Sequence, residues 1–272
     1  MCSVLETVFR RWAVVIALRS PGQDADVKRL FGSIHRECLD HKLAKAGVIK
    51  KLFDRFYQHL GAKGYIARGE QIVDATIVPV PKQRNTREEN EAINGGQTPK
   101  AWKKKPAKNR QKDNDARWIK KHGRSFYGYK NHVNADATHK LIRRYDVSDA
   151  AVHDSQKFNR LLNKANTSAD VLADTAYRSA ETEARLKARG FRSRIHVRAT
   201  RNHPLSQRQE EANRKKSKVR VRIEHVFGAQ ETSAGSRLVR TIGIVRARAK
   251  IGLQNLVYNV RRLVTLERMA AV

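Results

Sequence analysis

The stretch Ile72-Val73-Asp74-Ala75-Thr76-Ile77-Val78 places one carboxylate in the middle of an apolar, largely β-branched run. Ile, Val and Thr suit a pleated, half-buried surface, so the run reads as a strand, stopped by Pro79 and Pro81. Asp is depleted from strands, and an unpaired carboxylate beside a core is costly to desolvate. The anomaly recurs twice. Val171-Leu172-Ala173-Asp174 ends an apolar run on an acid, and Glu224 lies within Val219-Arg220-Val221-Arg222-Ile223-Glu224-His225-Val226-Phe227. A chain that repeatedly sets acids against apolar sequence, while carrying a formal net charge of +31, is best read as collecting them around divalent metal. The combination points to metal-dependent chemistry on nucleic acid.

Composition bounds the class. A chain of 272 residues buries a sizeable core, as one large domain or one domain with appendages. The 57 Lys+Arg against 26 Asp+Glu and a pI near 10.7 imply a polyanionic partner, read as nucleic acid. Cys2 and Cys38 form neither a ligand spacing nor a disulfide framework, which fits a reducing cytoplasm. Ala13-Val14-Val15-Ile16-Ala17-Leu18 is far short of a membrane span and no small-x-small cleavage site follows it, so it reads as a buried strand.

Outward from the first acid, Val48, Ile49, Leu52, Phe53, Phe56 and Leu60 recur at helical spacing, ended near Gly61 or Gly64. Residues 82–121 change character, with 13 Lys/Arg and 5 Asp/Glu, few large apolar residues, and breakers at Gly95-Gly96, Pro99 and Pro106. They read as a basic, mobile insertion in which Trp102 and Trp118 offer stacking surfaces to DNA; a plain disordered linker is the competing reading. A hairpin follows, from Tyr127 to Asp136 and from Leu141 to Val147, then a short helix over 155–165. After Asp174, Ser179 is placed to cap a helix with Glu181 and Glu183 in its first turn and Gly190 behind it. Phe191 to Val197 reads as a strand and Pro204 to Phe227 as helical. Leu253, Leu256, Val257, Val260, Leu263 and Val264 mark the core face of a closing helix. Strands alternating with helices in this order predict an α/β fold, a mixed sheet covered on both faces.

In-line displacement at a phosphodiester is commonly served by two metal ions about 3.5–4 Å apart, and hard oxygen donors suit magnesium or manganese. Asp74, Asp174 and Glu224, from two strands and a helix, are the candidate donors. No His/Cys cluster of zinc spacing is present; His122, His132, His139 and His153 are scattered along one stretch. Each acid also admits a local reading. Asp74 suits a backbone acceptor, Asp174 an N-cap, and Glu224 a partner for Arg220 four residues before it. Lys215, Lys216, Lys218, Arg220 and Arg222 crowd the sequence before Glu224, as phosphate contacts would.

Several longer motifs then resemble one family. They are Ile72-Val73-Asp74-Ala75-Thr76, Arg84-Asn85-Thr86-Arg87-Glu88-Glu89-Asn90, Tyr127-Gly128-Tyr129-Lys130-Asn131-His132, Val152-His153-Asp154-Ser155 and Ala173-Asp174-Thr175-Ala176-Tyr177-Arg178-Ser179. Two more are Arg222-Ile223-Glu224-His225-Val226-Phe227-Gly228 and Arg246-Ala247-Arg248-Ala249-Lys250-Ile251-Gly252-Leu253. Together they resemble the DDE transposases of bacterial insertion sequences, in the IS-four/IS-five superfamily, over residues 42–268. The resemblance implies an RNase H-like catalytic domain with Asp74, Asp174 and Glu224 as catalytic, Mg2+- or Mn2+-binding residues, and Arg178 among the DNA contacts. It further implies cleavage and transfer of DNA strands at element ends, a homodimer on double-stranded DNA, and a bacterial, nucleoid-associated setting. In the wider signature a Tyr precedes the matched Arg220 by three residues and a Lys follows the Glu by seven; here Ser217 and Glu231 hold those positions. Residues 1–41 instead resemble the tail of an integrase-core transposase, with Lys28 where that family carries its catalytic Glu, and read as a recombined segment. The competing function is a catalytically silent DNA-binding remnant.

Overall fold

In the computed structural model the described residues are 44–66, 69–121, 123–164, 168–201, 203–233 and 238–271. The strand expected at Ala13–Leu18 and the recombined segment expected over 1–41 lie outside them. The run that opens with Ile72 forms strand β1 (Gln71–Pro79), preceded by helix α1 (Val48–Ala62), whose six expected apolar residues are all buried. After the insertion come β2 (Arg117–Lys121), β3 (Arg124–Asp136) and β4 (Ile142–Asp149), the last two being the predicted hairpin. Helix α5 (Ser155–Leu161), β5 (Asp170–Leu172), a 3-10 turn (Thr175–Tyr177), α6 (Ala180–Ala188) and β6 (Arg192–Ser193) follow. Helices α7 (Gln207–Arg220), α8 (Arg222–Ser233) and α9 (Ile244–Ala270) close the chain.

The six strands form one mixed sheet in the order β2-β3-β1-β5-β6, with β4 also paired to β3. Strand β1 runs antiparallel to β3 and parallel to β5. Period-two alternation sorts its side chains between two cores. Ile72, with Val133 and Ala135 of β3, joins the larger core under α1, α8 and α9; Val73 and Val171 join the core beneath α5 and α6. This is the sheet covered on both faces that the strand–helix order predicts, in an RNase H-like arrangement. No helix among the described residues is long and apolar enough to cross a membrane.

The insertion differs from expectation. Residues 87–111 form three short helices, α2 (Arg87–Asn94), α3 (Lys100–Lys103) and α4 (Pro106–Gln111). They gather on Trp102, which is fully buried rather than offered for stacking. Glu89 accepts hydrogen bonds from the Trp102 indole and Lys108, and completes a capping box with Thr86; these donors hold its carboxyl at about 2. Lys108 and Lys112 lie over the indole at 5.3 and 5.5 Å. Ile93 and Trp102 are the only large apolar side chains that this piece buries, too few to register as a hydrophobic period. Trp118 does remain exposed, on β2.

Two further elements are shorter than read. Beyond Ser193 the chain stays against β5 through Arg194 N and His196 N, which donate to the Val171 and Ala173 carbonyls. On its other edge side chains replace a strand: Asn213 exchanges two hydrogen bonds with Val197, and Lys216 and Arg178 both donate to the Ile195 carbonyl. The helical stretch to Phe227 breaks at Val221, which is exposed. Before the break α7 buries no side chain; after it Ile223, Val226 and Phe227 enter the core. The polar helix is strapped to the 195–197 segment, and the apolar one packs on the sheet.

Candidate active site

Register brings the first two acids together. Ile72 of β1 lies opposite Leu172 of the parallel β5, so Asp74 and Asp174 each follow a paired residue by two. Strands about 4.8 Å apart with side chains alternating between faces put both carboxylates on one side, at neighbouring positions. It is the α8 side. Glu224, in the first turn of α8, lines the same cleft of about 910 Å3 as Asp74, Asp174 and Arg220. The three acids predicted from sequence are thus brought to one place.

Their local contacts are also made. Asp74 Oδ1 accepts from the Ala75 amide at 2.8 Å, and Asp174 Oδ1 accepts from Thr175 N at 2.6 Å as the cap of the 3-10 turn. Arg220 Nη1 donates to Asp74 Oδ2 at 2.8 Å and stands 3.7 Å from Glu224 Oε1. Capping and clustering are therefore compatible, because each engages one edge of a two-oxygen group. Burial pushes Asp74 up to about 6 despite the Ala75 hydrogen bond and Arg220, and the like charges of Glu224 and Asp174 add to the rise.

Three carboxylates offer the hard oxygens that a divalent ion such as magnesium prefers, so the donor chemistry fits. The spacing as it stands is looser: among the described residues no three His, Cys, Asp or Glu side chains gather closely enough to hold an ion. The cation between Asp74 and Glu224 here is the Arg220 guanidinium. The residues that would hold a metal are the same three acids.

The basic residues expected along DNA are not on one face. Lys215 and Lys218 are exposed on α7, and exposed Arg222 donates to the Ala137 carbonyl at 2.8 Å. Lys216 and Arg178 are tied to Ile195, and Arg220 turns into the cleft. Glu231, at the position where the signature has Lys, lines the cleft as well.

Sequence reading missed the residues that fix these elements relative to one another. His196 is buried; its Nδ1 lies 3.2 Å from the carbonyl of Ala173, next to Asp174, and its Nε2 lies 2.8 Å from Ser217 Oγ. A carbonyl only accepts, so Nδ1 carries the proton and Nε2 accepts from the hydroxyl. Ser217, where the signature has Tyr, thereby joins α7 to the end of β5. Fully buried Asn255 of α9 pairs reciprocally with Asn131 of β3, at 2.8 and 3.1 Å, and accepts from Gln230 of α8 at 2.7 Å. That amide chain pins the helix bearing Glu224 to the sheet bearing Asp74. The only sequence signal is an asparagine on an apolar helix face.

A mixed, helix-covered sheet with one acid on a strand, a second just past its parallel neighbour and a third on an adjoining helix is the kind of arrangement expected of a DDE-class nucleic-acid enzyme. The chain belongs to this family: the transposase DDE domain matches residues 67–260. It is 31% identical over 223 residues to the transposase for insertion sequence element IS1106 of Neisseria meningitidis serogroup B, an overlap covering 80% of this chain and 73% of that protein. No solved structure matches.

Proposed function

We propose that this transposase cleaves and transfers DNA strands at the ends of an insertion sequence, with Asp74, Asp174 and Glu224 as catalytic residues and ligands for Mg2+ or Mn2+. The observation that supports the reading is that Asp74 on β1 and Asp174, just past the end of β5, each lie two residues beyond a register pair of these parallel strands and line one cleft with Glu224. What a bound magnesium or manganese supplies is Lewis acidity toward the attacking and leaving oxygens of the phosphodiester. The chain's own residues do the rest. Arg220 offsets repulsion between Asp74 and Glu224, and the Asn131–Asn255–Gln230 chain holds their elements in place. Lys215, Lys218 and Arg222 are positioned for phosphates; Lys216 and Arg178 act by positioning the 195–197 segment. Two element ends need two active centres, so the working form is a homodimer on DNA.

The test uses purified protein and duplex DNA from the borders of its element. Asp74→Asn, Asp174→Asn and Glu224→Gln each remove a ligand charge at nearly constant size, so binding should survive while nicking falls at least a hundredfold. Magnesium or manganese should support nicking and calcium, with its looser coordination, should not. Nicking that persists unchanged in Asp174→Asn would refute the assignment. Binding with no nicking in any metal would favour a DNA-binding remnant.

A further inference from the structure

We propose that Lys121 and Arg124, at the tip of the β2–β3 hairpin, form a phosphate clamp that holds the DNA strand across the acidic cleft. The proposal rests on the reading of that cleft as a DNA-processing site and supplies what the cleft lacks. Asp74, Asp174, Glu224 and Glu231 all line it, and Arg220 is already engaged by Asp74. A polyanion approaching such a surface is repelled unless cations stand opposite the acids.

The hairpin places two cations at the far end of the same cleft, since Arg124 lies nine residues along β3 from Val133, the partner of Asp74. Strand β1 ends at Pro79, opposite Gly128, while β3 runs on to Arg124 paired with β2, so the hairpin projects beyond the acid-bearing strand. Lys121 and Arg124 are its last register pair, and directly opposed residues of an antiparallel ladder share a face. Both line the cleft, as does Phe126 two residues on. Like charges directly opposed destabilise a ladder. Both side chains are exposed, and no ion pair among the described residues involves either. An anion between them would relieve that repulsion.

The base of the hairpin is stiff enough to aim them. The Tyr129 hydroxyl donates to the buried Asp113 carboxylate, 2.8 and 2.7 Å from its two oxygens, and Tyr127 donates to the Asp113 carbonyl at 3.1 Å. Gly128 has φ 153°, and a Cβ there would strike the Val78 carbonyl, so the strands approach more closely than any other residue permits. Trp118 packs on Tyr127 on the opposite face of the hairpin, with Lys82 6.0 Å from the Trp118 ring.

Strand alternation provides a matched control. Lys120 precedes Lys121 by one residue and faces away with Trp118. Lys121→Gln/Arg124→Gln and Lys120→Gln/Lys82→Gln remove the same charge from the same hairpin region. Both pairs are compared in an Asp174→Asn background, without divalent metal, for binding to duplex DNA from the element border. Binding there is independent of cleavage, so failure of the catalytic reading leaves this result intact. The clamp pair should flatten the dependence of log Kd on log salt by about 1.8, about 0.9 for each phosphate lost, and the control pair by less than half of that. Neutral methylphosphonates placed singly along the cut strand should weaken the parent protein at one or two positions several nucleotides from the cut site, because the clamp lies nine strand residues from the Asp74 register position. The clamp pair should have lost that sensitivity. Equal slopes for the two pairs, or an unchanged methylphosphonate pattern, would overturn the proposal; unchanged thermal midpoints establish that both pairs are folded.

Discussion

Arg220 and Asp74 carry opposite charges in a partly buried place, with side-chain exposures of 25% and 16%. Removing one member of such a pair leaves the other uncompensated, which costs more than the pair itself contributes. Arg220→Gln should therefore destabilise the fold by about 1–3 kcal/mol at neutral pH. Asp74→Asn should cost less, because burial already disfavours its charge. The double variant Asp74→Asn/Arg220→Gln should recover most of the Arg220→Gln loss. Urea midpoints of the four proteins test this, and strict additivity would exclude the pair as a stabilising contact. At this scale each acid was visible in sequence as a charge in apolar company. What was not visible is that local contacts and the cluster coexist: Asp174 both caps its turn and lines the cleft.

Helix α9 shows the same division for an element. Its apolar stripe was legible from the spacing of Leu253, Leu256, Val260 and Leu263, all of them buried. Asn255 and Asn259 lie one turn apart in the middle of it and are equally buried. Asn259 exchanges hydrogen bonds of 2.8 Å with the amide and carbonyl of Ile142, beside the register shift between β3 and β4. Gly252 completes the approach, since a Cβ there would collide with the Tyr145 hydroxyl. Asn255→Leu should cost about 2 kcal/mol, the penalty of leaving the buried Asn131 amide unpaired. Asn131→Leu/Asn255→Leu should cost less than the sum of the single changes, read from denaturant midpoints. Additive losses would mean that the amide pair contributes only packing. An amide on a core face is indistinguishable in sequence from an intrusion, since its partners are 124 and 25 residues away.

The formal charge of +31 acts on the molecule as a whole. Self-repulsion of that size opposes compaction and weakens as salt screens it. The thermal midpoint should rise with moderate sodium chloride, and rise further with a short DNA duplex at low salt, because a ligand of the folded state stabilises by mass action. A midpoint indifferent to both would mean that the charges are already neutralised within the fold. The sequence by itself determined the layered sheet, the closing helix and the identity of three anomalous acids, because periodicity and desolvation act over a few neighbouring residues. The order and register of the strands, the break at Val221, the folding of the basic insertion on Trp102 and the insertion of Arg220 between two acids were decided only by tertiary structure. Each of these depends on hydrogen bonds, ion pairs or packing between segments remote in the chain, and such partners leave no periodic trace.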